Sequence, residues 1–134
     1  MSRPQSSPHA IVIVEDDEGT AEMFGRILSA AGYNVTTAAD EEEGLNAIER
    51  VGPSAVLLDL HLKSADGRSL LRRLRASHHC ADVPVAVVTG DYFIDEHVAH
   101  DLKDLGARVY FKPLWEEDLL PLVRNLVAGT LPPS

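Results

Sequence analysis

The sequence predicts a doubly wound α/β domain, a single parallel sheet of five strands covered by helices on both faces. Two observations predict it. Short apolar runs of strand length alternate five times with stretches in which apolar residues recur at helical spacing. One of those runs, Ala55, Val56, Leu57 and Leu58, is uninterrupted by any polar residue, as a strand buried on both faces requires.

The elements follow in order. Ala10–Val14 is the first strand, and Phe24, Ile27, Leu28 and Ala31 then recur at helical spacing up to Gly32, a C-terminal stop. Tyr33, Val35 and Thr37 alternate with polar neighbours as a half-exposed strand does. Asp40, with Glu43 three residues on, predicts the capped start of a helix over Glu41–Val51, which Gly52 and Pro53 terminate. The run from Ala55 to Leu58 is the central strand. A polar loop ending at Asp66 and Gly67 leads into a leucine-bearing helix that runs to about Ser77. Residues 83–88 form the fourth strand, with Pro84 at its start, where no ladder bond is lost. Val98, Leu102 and Leu105 mark the fourth helix, 109–111 the fifth strand, and Leu119, Leu122, Val123 and Leu126 the last helix. Pro121 is expected to kink that helix, since past the first turn it removes a hydrogen bond. The domain thus occupies 10–128, and the Ser- and Pro-rich segments 1–9 and 129–134 are read as disordered tails.

Bulk properties narrow the function. A length of 134 residues suits one domain. The apolar runs are far below the ~20 residues of a membrane span, and the polar N-terminus lacks the apolar core of a secretory signal, so a cytoplasmic address and no membrane partner are expected. A net charge of −9 disfavours direct contact with nucleic acid. The basic run of Arg68, Arg72, Arg73 and Arg75 reads as the solvated face of a helix. Cys80 is the single cysteine and is read as structural, and adjacent His78 and His79 point apart too far to complete a metal site with it.

In an open parallel sheet, ligands gather where the carboxyl ends of the strands emerge. Four of the five predicted strands end in chemically coherent groups: Glu15, Asp16 and Asp17 after the first, Asp59 after the third, Thr89 after the fourth and Lys112 after the fifth. Carboxylates converging to ~5 Å repel by roughly 3 kcal/mol per pair at an effective dielectric near 20, so the cluster calls for a cation. An all-oxygen donor set suits Mg²⁺, with Mn²⁺ as an alternative. A lysine and a hydroxyl opposite it would balance and hydrogen-bond a phosphoryl group, which makes Asp59 the candidate nucleophile of phosphoryl transfer to a carboxylate. Taken singly, each residue has a plainer reading, the acids as a helix cap and Thr89 before Gly90 as a turn. Four strand ends on one edge argue for the joint one.

At these residues the chain resembles the response-regulator receiver domain of bacterial two-component signalling, over essentially all of 10–128. The resemblance rests on Glu15 and Asp16, on Asp59 with Gly67 eight residues later, on Thr89, and on the Lys112 and Pro113 pair. It implies a flavodoxin-like (βα)5 fold of strand order 2-1-3-4-5. It also implies Mg²⁺-dependent transfer to Asp59 from the phosphohistidine of a histidine kinase or histidine phosphotransferase, and a changed surface around the last helices that a downstream protein reads. The metal ligands it implies are Glu15, Asp16, Asp59 and the main-chain carbonyl of His61. It further implies a cis bond between Lys112 and Pro113. His61, Gly90 and Asp91 fall at places that tune phosphoryl lifetime, and Thr89 with an aromatic on the fifth strand forms the switch.

Departures from the pattern qualify that reading. Lys63 stands where the family often has Pro, and the stretch 106–112 is one residue shorter than usual. Counting back from Lys112 therefore gives Val109 as the switch residue, whereas chemistry gives Tyr110, the favoured choice. The expected function is that of a stand-alone receiver, a signalling domain rather than a turnover enzyme. One alternative is a receiver-fold binding module that signals without phosphorylation. The other is a Mg²⁺-dependent phosphohydrolase, whose haloacid-dehalogenase-like form would carry a second Asp where His61 stands.

Overall fold

A computed structural model describes residues 9–62, 66–90 and 94–129. Lys63, Asp91 and the tail segments 1–8 and 130–134 lie outside the described residues. Five strands, β1 (Ala10–Val14), β2 (Asn34–Ala38), β3 (Ala55–Asp59), β4 (Val85–Thr89) and β5 (Ala107–Phe111), alternate with helices α1 (Glu18–Ala30), α2 (Glu41–Val51), α3 (Gly67–Arg75), α4 (Glu96–Asp104) and α5 (Glu116–Ala128). All strand pairs are parallel, in the order β2-β1-β3-β4-β5. The expected class and strand order are both present.

The two-residue period of the strands divides the core. Val12, Val14, Val56, Leu58, Val85 and Val87 face a layer that includes Ala47, Ile48, Leu70, Leu71, Leu74 and Leu102 from α2, α3 and α4. Ile11, Ile13, Ala55, Leu57, Ala86 and Val88 face Phe24, Leu28, Leu119, Leu122, Val123 and Leu126 from α1 and α5. Every residue of β3 is buried, which explains its unbroken apolar run, whereas edge strands β2 and β5 are partly exposed.

Local signals set the boundaries. Asp40 accepts the Glu43 N–H at 2.9 Å and caps α2, and Gly52 closes that helix in the left-handed region at φ 61°. Helix α3 stops at Arg75, short of the expected Ser77, where the chain turns through Ala76. Strand β4 begins at Val85, one residue after Pro84, whose carbonyl accepts from Val56. Strand β5 begins earlier than expected, at Ala107, because Val85 and Ala86 pair with Ala107 and Arg108. Pro121 is inside α5 and the helix continues through it. The i−4 position whose carbonyl a Pro121 N–H would have met is Glu117, an exposed residue.

The basic run of α3 is not a bare solvated face. Arg68 and Arg72 bind Asp101 of α4, Arg73 binds Glu41 and Glu42 of α2, and Arg75 donates to the carbonyls of Ala81, Val83 and Leu105. No helix among the described residues is long and apolar enough to cross a membrane.

Candidate functional site

Parallel strands in register bring their carboxyl ends to one edge, and there the expected residues meet. Glu15 follows β1 directly, with Asp16 next, while Asp59 and Thr89 are the last residues of β3 and β4. Glu15, Asp59 and Thr89 are buried, at 4, 7 and 0% exposure. One carboxylate oxygen from each of Glu15, Asp16 and Asp59 lies within 4.8 Å of the others. This is the one such grouping of metal-binding side chains among the described residues, and it excludes His78, His79 and Cys80. Cys80 is buried, with its Sγ 3.9 Å from the Ile48 carbonyl.

The third acid of the run behaves differently. Asp17 caps α1, accepting from the Thr20 N–H at 2.8 Å and the Thr20 hydroxyl at 2.6 Å. The capping role and the cluster role, rival readings of one acidic run, are therefore divided between neighbours.

Lys112 completes the edge. Its Nζ is 2.8 Å from Glu15 Oε1 and 3.7 Å from Asp59 Oδ2. Its backbone is fixed by a rung of the ladder, the Lys112 N–H donating to the Thr89 carbonyl at 2.8 Å. The Lys112–Pro113 bond is cis, as the family resemblance implied. His61 donates its N–H to Asp59 Oδ1 at 3.2 Å and bridges to Asp66.

Electrostatics follow from this crowding. Burial pushes the Glu15 carboxyl up to about 7; its hydrogen bond to Asp59 and that residue's charge add to the rise, while Lys112 and the Asp17 N–H oppose it. Burial alone would lower Lys112, but its bond to Glu15 and the charges of Glu15 and Asp59 outweigh that and raise it. The crowding of two close, buried carboxyls thus favours a proton on Glu15, and the Lys112 ammonium lies beside both. A divalent cation on the same oxygens would replace that proton. The three side chains fit one, since all donors are hard oxygens, two from the connection after β1 and one from the end of β3.

Gly67 was legible in the sequence only as a spacing; the structure supplies its cause. A Cβ there would lie 2.9 Å from the Asp59 carbonyl oxygen and 3.2 Å from Leu60 Cα. The Gly67 N–H also donates to the Leu60 carbonyl at 2.8 Å. The first turn of α3 is therefore pressed against the backbone that carries Asp59. Gly90, following Thr89, is exposed with open space around it.

Thr89 and Tyr110 are not brought together. Tyr110 pairs with Val88 and packs in the layer of α1 and α5, while Val109 pairs with Val87 and packs on the opposite face, toward α4. Thr89, two residues after Val87, shares the Val109 face by alternation. Shifting the alignment by one residue changes the face completely, so the choice of an aromatic by chemistry selects the wrong side of the sheet for a Thr89 partner. Trp115 is 58% exposed and Phe111 40%, and they flank Lys112 and Pro113.

Comparison with known proteins identifies the family and agrees with the fold. Residues 11–124 match the family model of the response regulator receiver domain. Response regulator MprA of Mycolicibacterium vanbaalenii is 37% identical over 126 residues, 93% of this chain. The chain spans about half (53%) of that relative's length. A CheY-like receiver domain protein from Methanospirillum hungatei superposes with a TM-score of 0.84 at 27% identity, covering 92% of this chain and 96% of that one. The chemotaxis protein CheY4 of Vibrio cholerae, at 22% identity and a TM-score of 0.82 over 89% of this chain and 98% of that one, shares the fold.

Proposed function

Because the chain belongs to the response regulator receiver domain family, we propose that it is a phosphoacceptor switch. A partner histidine kinase or histidine phosphotransferase would supply the phosphoryl group, Asp59 would accept it, and a separate protein would read the altered surface. The observation that carries this reading is the convergence of Glu15, Asp16 and Asp59 oxygens within 4.8 Å with the Lys112 ammonium 3.7 Å from Asp59.

In the proposed reaction a carboxylate oxygen of Asp59 attacks phosphorus, a P–O bond forms and the P–N bond to the donor imidazole breaks. Mg²⁺ or Mn²⁺, held by Glu15, Asp16, Asp59 and the His61 carbonyl, would neutralise charge on the transferred group. Lys112 would leave Glu15 for a phosphoryl oxygen, and the Thr89 hydroxyl would hydrogen-bond another. His61 and Gly90, each close in sequence to Asp59 or Thr89, are assigned to the control of water access together with Asp91, which lies outside the described residues. Thr89 carries the switch, with Val109, on its own face of the sheet, in place of Tyr110. Such a domain modifies itself once per signal and does not turn over a substrate.

Incubation with acetyl phosphate and Mg²⁺ followed by intact mass tests the reading. One phosphate adduct, lost in Asp59→Asn and without added Mg²⁺, is expected. No adduct would point to a module that works unphosphorylated, and sustained release of phosphate from organic esters would point to a hydrolase.

A further inference from the structure

Helix α4 is weakly seated by apolar packing. Leu102 is its one buried side chain, where α2, α3 and α5 each bury four residues. What holds it is largely polar. Asp101 Oδ2 receives Arg68 Nη1 at 2.8 Å and Arg72 Nη2 at 3.0 Å, both from α3. Arg68 is only 24% exposed and has a second task. Its Nε and Nη2 grip Asp66 Oδ2 at 3.1 and 2.9 Å, and Asp66 is the cap residue immediately before Gly67. A continuous chain of bonds therefore runs from the Leu60 carbonyl, next to Asp59, through Gly67, Asp66 and Arg68 to Asp101.

We propose that this guanidinium–carboxylate clamp sets the resting position of α4 and ties it to the backbone next to the acceptor residue. Without the clamp, Leu102, the partly buried Val98 and Leu105, and the bond from Arg75 Nε to the Leu105 carbonyl at the C-cap are left to hold the helix. Thr89 and the α4 cap Asp95 are separated by residues 90–94, so α4 is the first helix that a displacement of Thr89 would pull on. The clamp resists that pull. This second part, opposition to the phosphorylated state, rests on the phosphoacceptor reading; the first part does not.

The test compares the full chain with Asp101→Asn, Arg72→Gln and the double variant. Hydrogen exchange of metal-free, unphosphorylated protein reads the clamp. Amides of α4 are expected to exchange about three- to tenfold faster in Asp101→Asn, a range set by charge-assisted bonds that are partly screened by solvent. Amides of β1 and β3 should be unchanged, and Arg72→Gln should add little to Asp101→Asn, because both remove one interaction. Unchanged exchange in α4, or faster exchange everywhere at once, would overturn the clamp. Beryllofluoride titration with Mg²⁺, followed through Trp115, reads the opposition. Tighter binding by Asp101→Asn is expected by reciprocity, and equal binding overturns that part. If the unaltered chain binds no beryllofluoride, the phosphoacceptor reading and the opposition both fall, while the exchange result still decides the clamp.

Discussion

The ammonium of Lys112 lies closer to Glu15, at 2.8 Å, than to Asp59, at 3.7 Å. The lysine therefore hydrogen-bonds Glu15 and pairs at longer range with Asp59, the proposed acceptor. A cation on Glu15 would compete with Lys112 for that carboxylate and so favour release of the ammonium toward Asp59 when a phosphoryl group arrives. In the proposed reaction, metal binding would thus also redirect the lysine.

Lys112→Met removes that ammonium from two buried carboxyls. Breaking a buried pair costs ~3–5 kcal/mol in general, and partial exposure of the lysine should reduce this to ~1–2 kcal/mol at about pH 8. Near pH 5 the cost should shrink further, because Glu15 is then neutral. Urea unfolding at the two pH values measures it, and labelling by acetyl phosphate should slow by at least ~10-fold.

Stability of the metal-free protein should fall as pH rises through the window from 4.5 to about 7, the ordinary and folded positions of Glu15. The sign follows from proton counting: the folded chain holds a proton there that the unfolded chain has released, so raising the pH favours unfolding. A divalent cation removes the need for that proton. Saturating Mg²⁺ should therefore raise the melting temperature clearly at about pH 8 and little at about pH 5. Equal stabilisation at both values would place the ion elsewhere.

Gly67→Ala puts a methyl group 2.9 Å from the Asp59 carbonyl oxygen, which is backbone and cannot rotate aside. A loss of ~1–3 kcal/mol is expected, together with slower phosphorylation, because the shift required is at Asp59 itself. Gly44→Ala is the control. Its added methyl also lies at 2.9 Å, but from a Val14 methyl. A cost of ~1–3 kcal/mol in stability, with phosphorylation unaltered, is expected there.

Tyr110→Phe should leave the Mg²⁺ and beryllofluoride response unchanged, since Tyr110 packs with the α1 and α5 layer. Val109→Ala, on the face toward α4, should alter hydrogen exchange in α4. A reversed pattern would return the switch role to Tyr110.

The fold was legible because its signals are local or periodic. The cap at Asp40, the left-handed Gly52 and the unbroken apolar run of β3 each act within a few residues. The site was legible because parallel register gathers strand ends, so a residue's place in its own strand was enough to position it. What was not legible depends on distance in the sequence or on a count of one. The clamp joins Arg68 to Asp101, 33 residues apart, and no periodicity announces such a pair. Asp16 and Asp17 are chemically identical neighbours, and only backbone direction decides that one caps and the other joins the cluster. The face of Tyr110 turns on a single residue of register.

The rung between the Lys112 N–H and the Thr89 carbonyl bears on how such a chain tolerates insertion and deletion. The lysine is located by the last rung of β5 against β4, not by measuring chain length from the preceding helix. A stretch 106–112 that is one residue short can be absorbed upstream, around Gly106 at the far edge of the sheet, whose φ of 73° already marks a turn. Evolution can therefore lengthen or shorten that connection while the charge beside the carboxylate cluster stays in place, and an engineer seeking a permissive splice point would look there first.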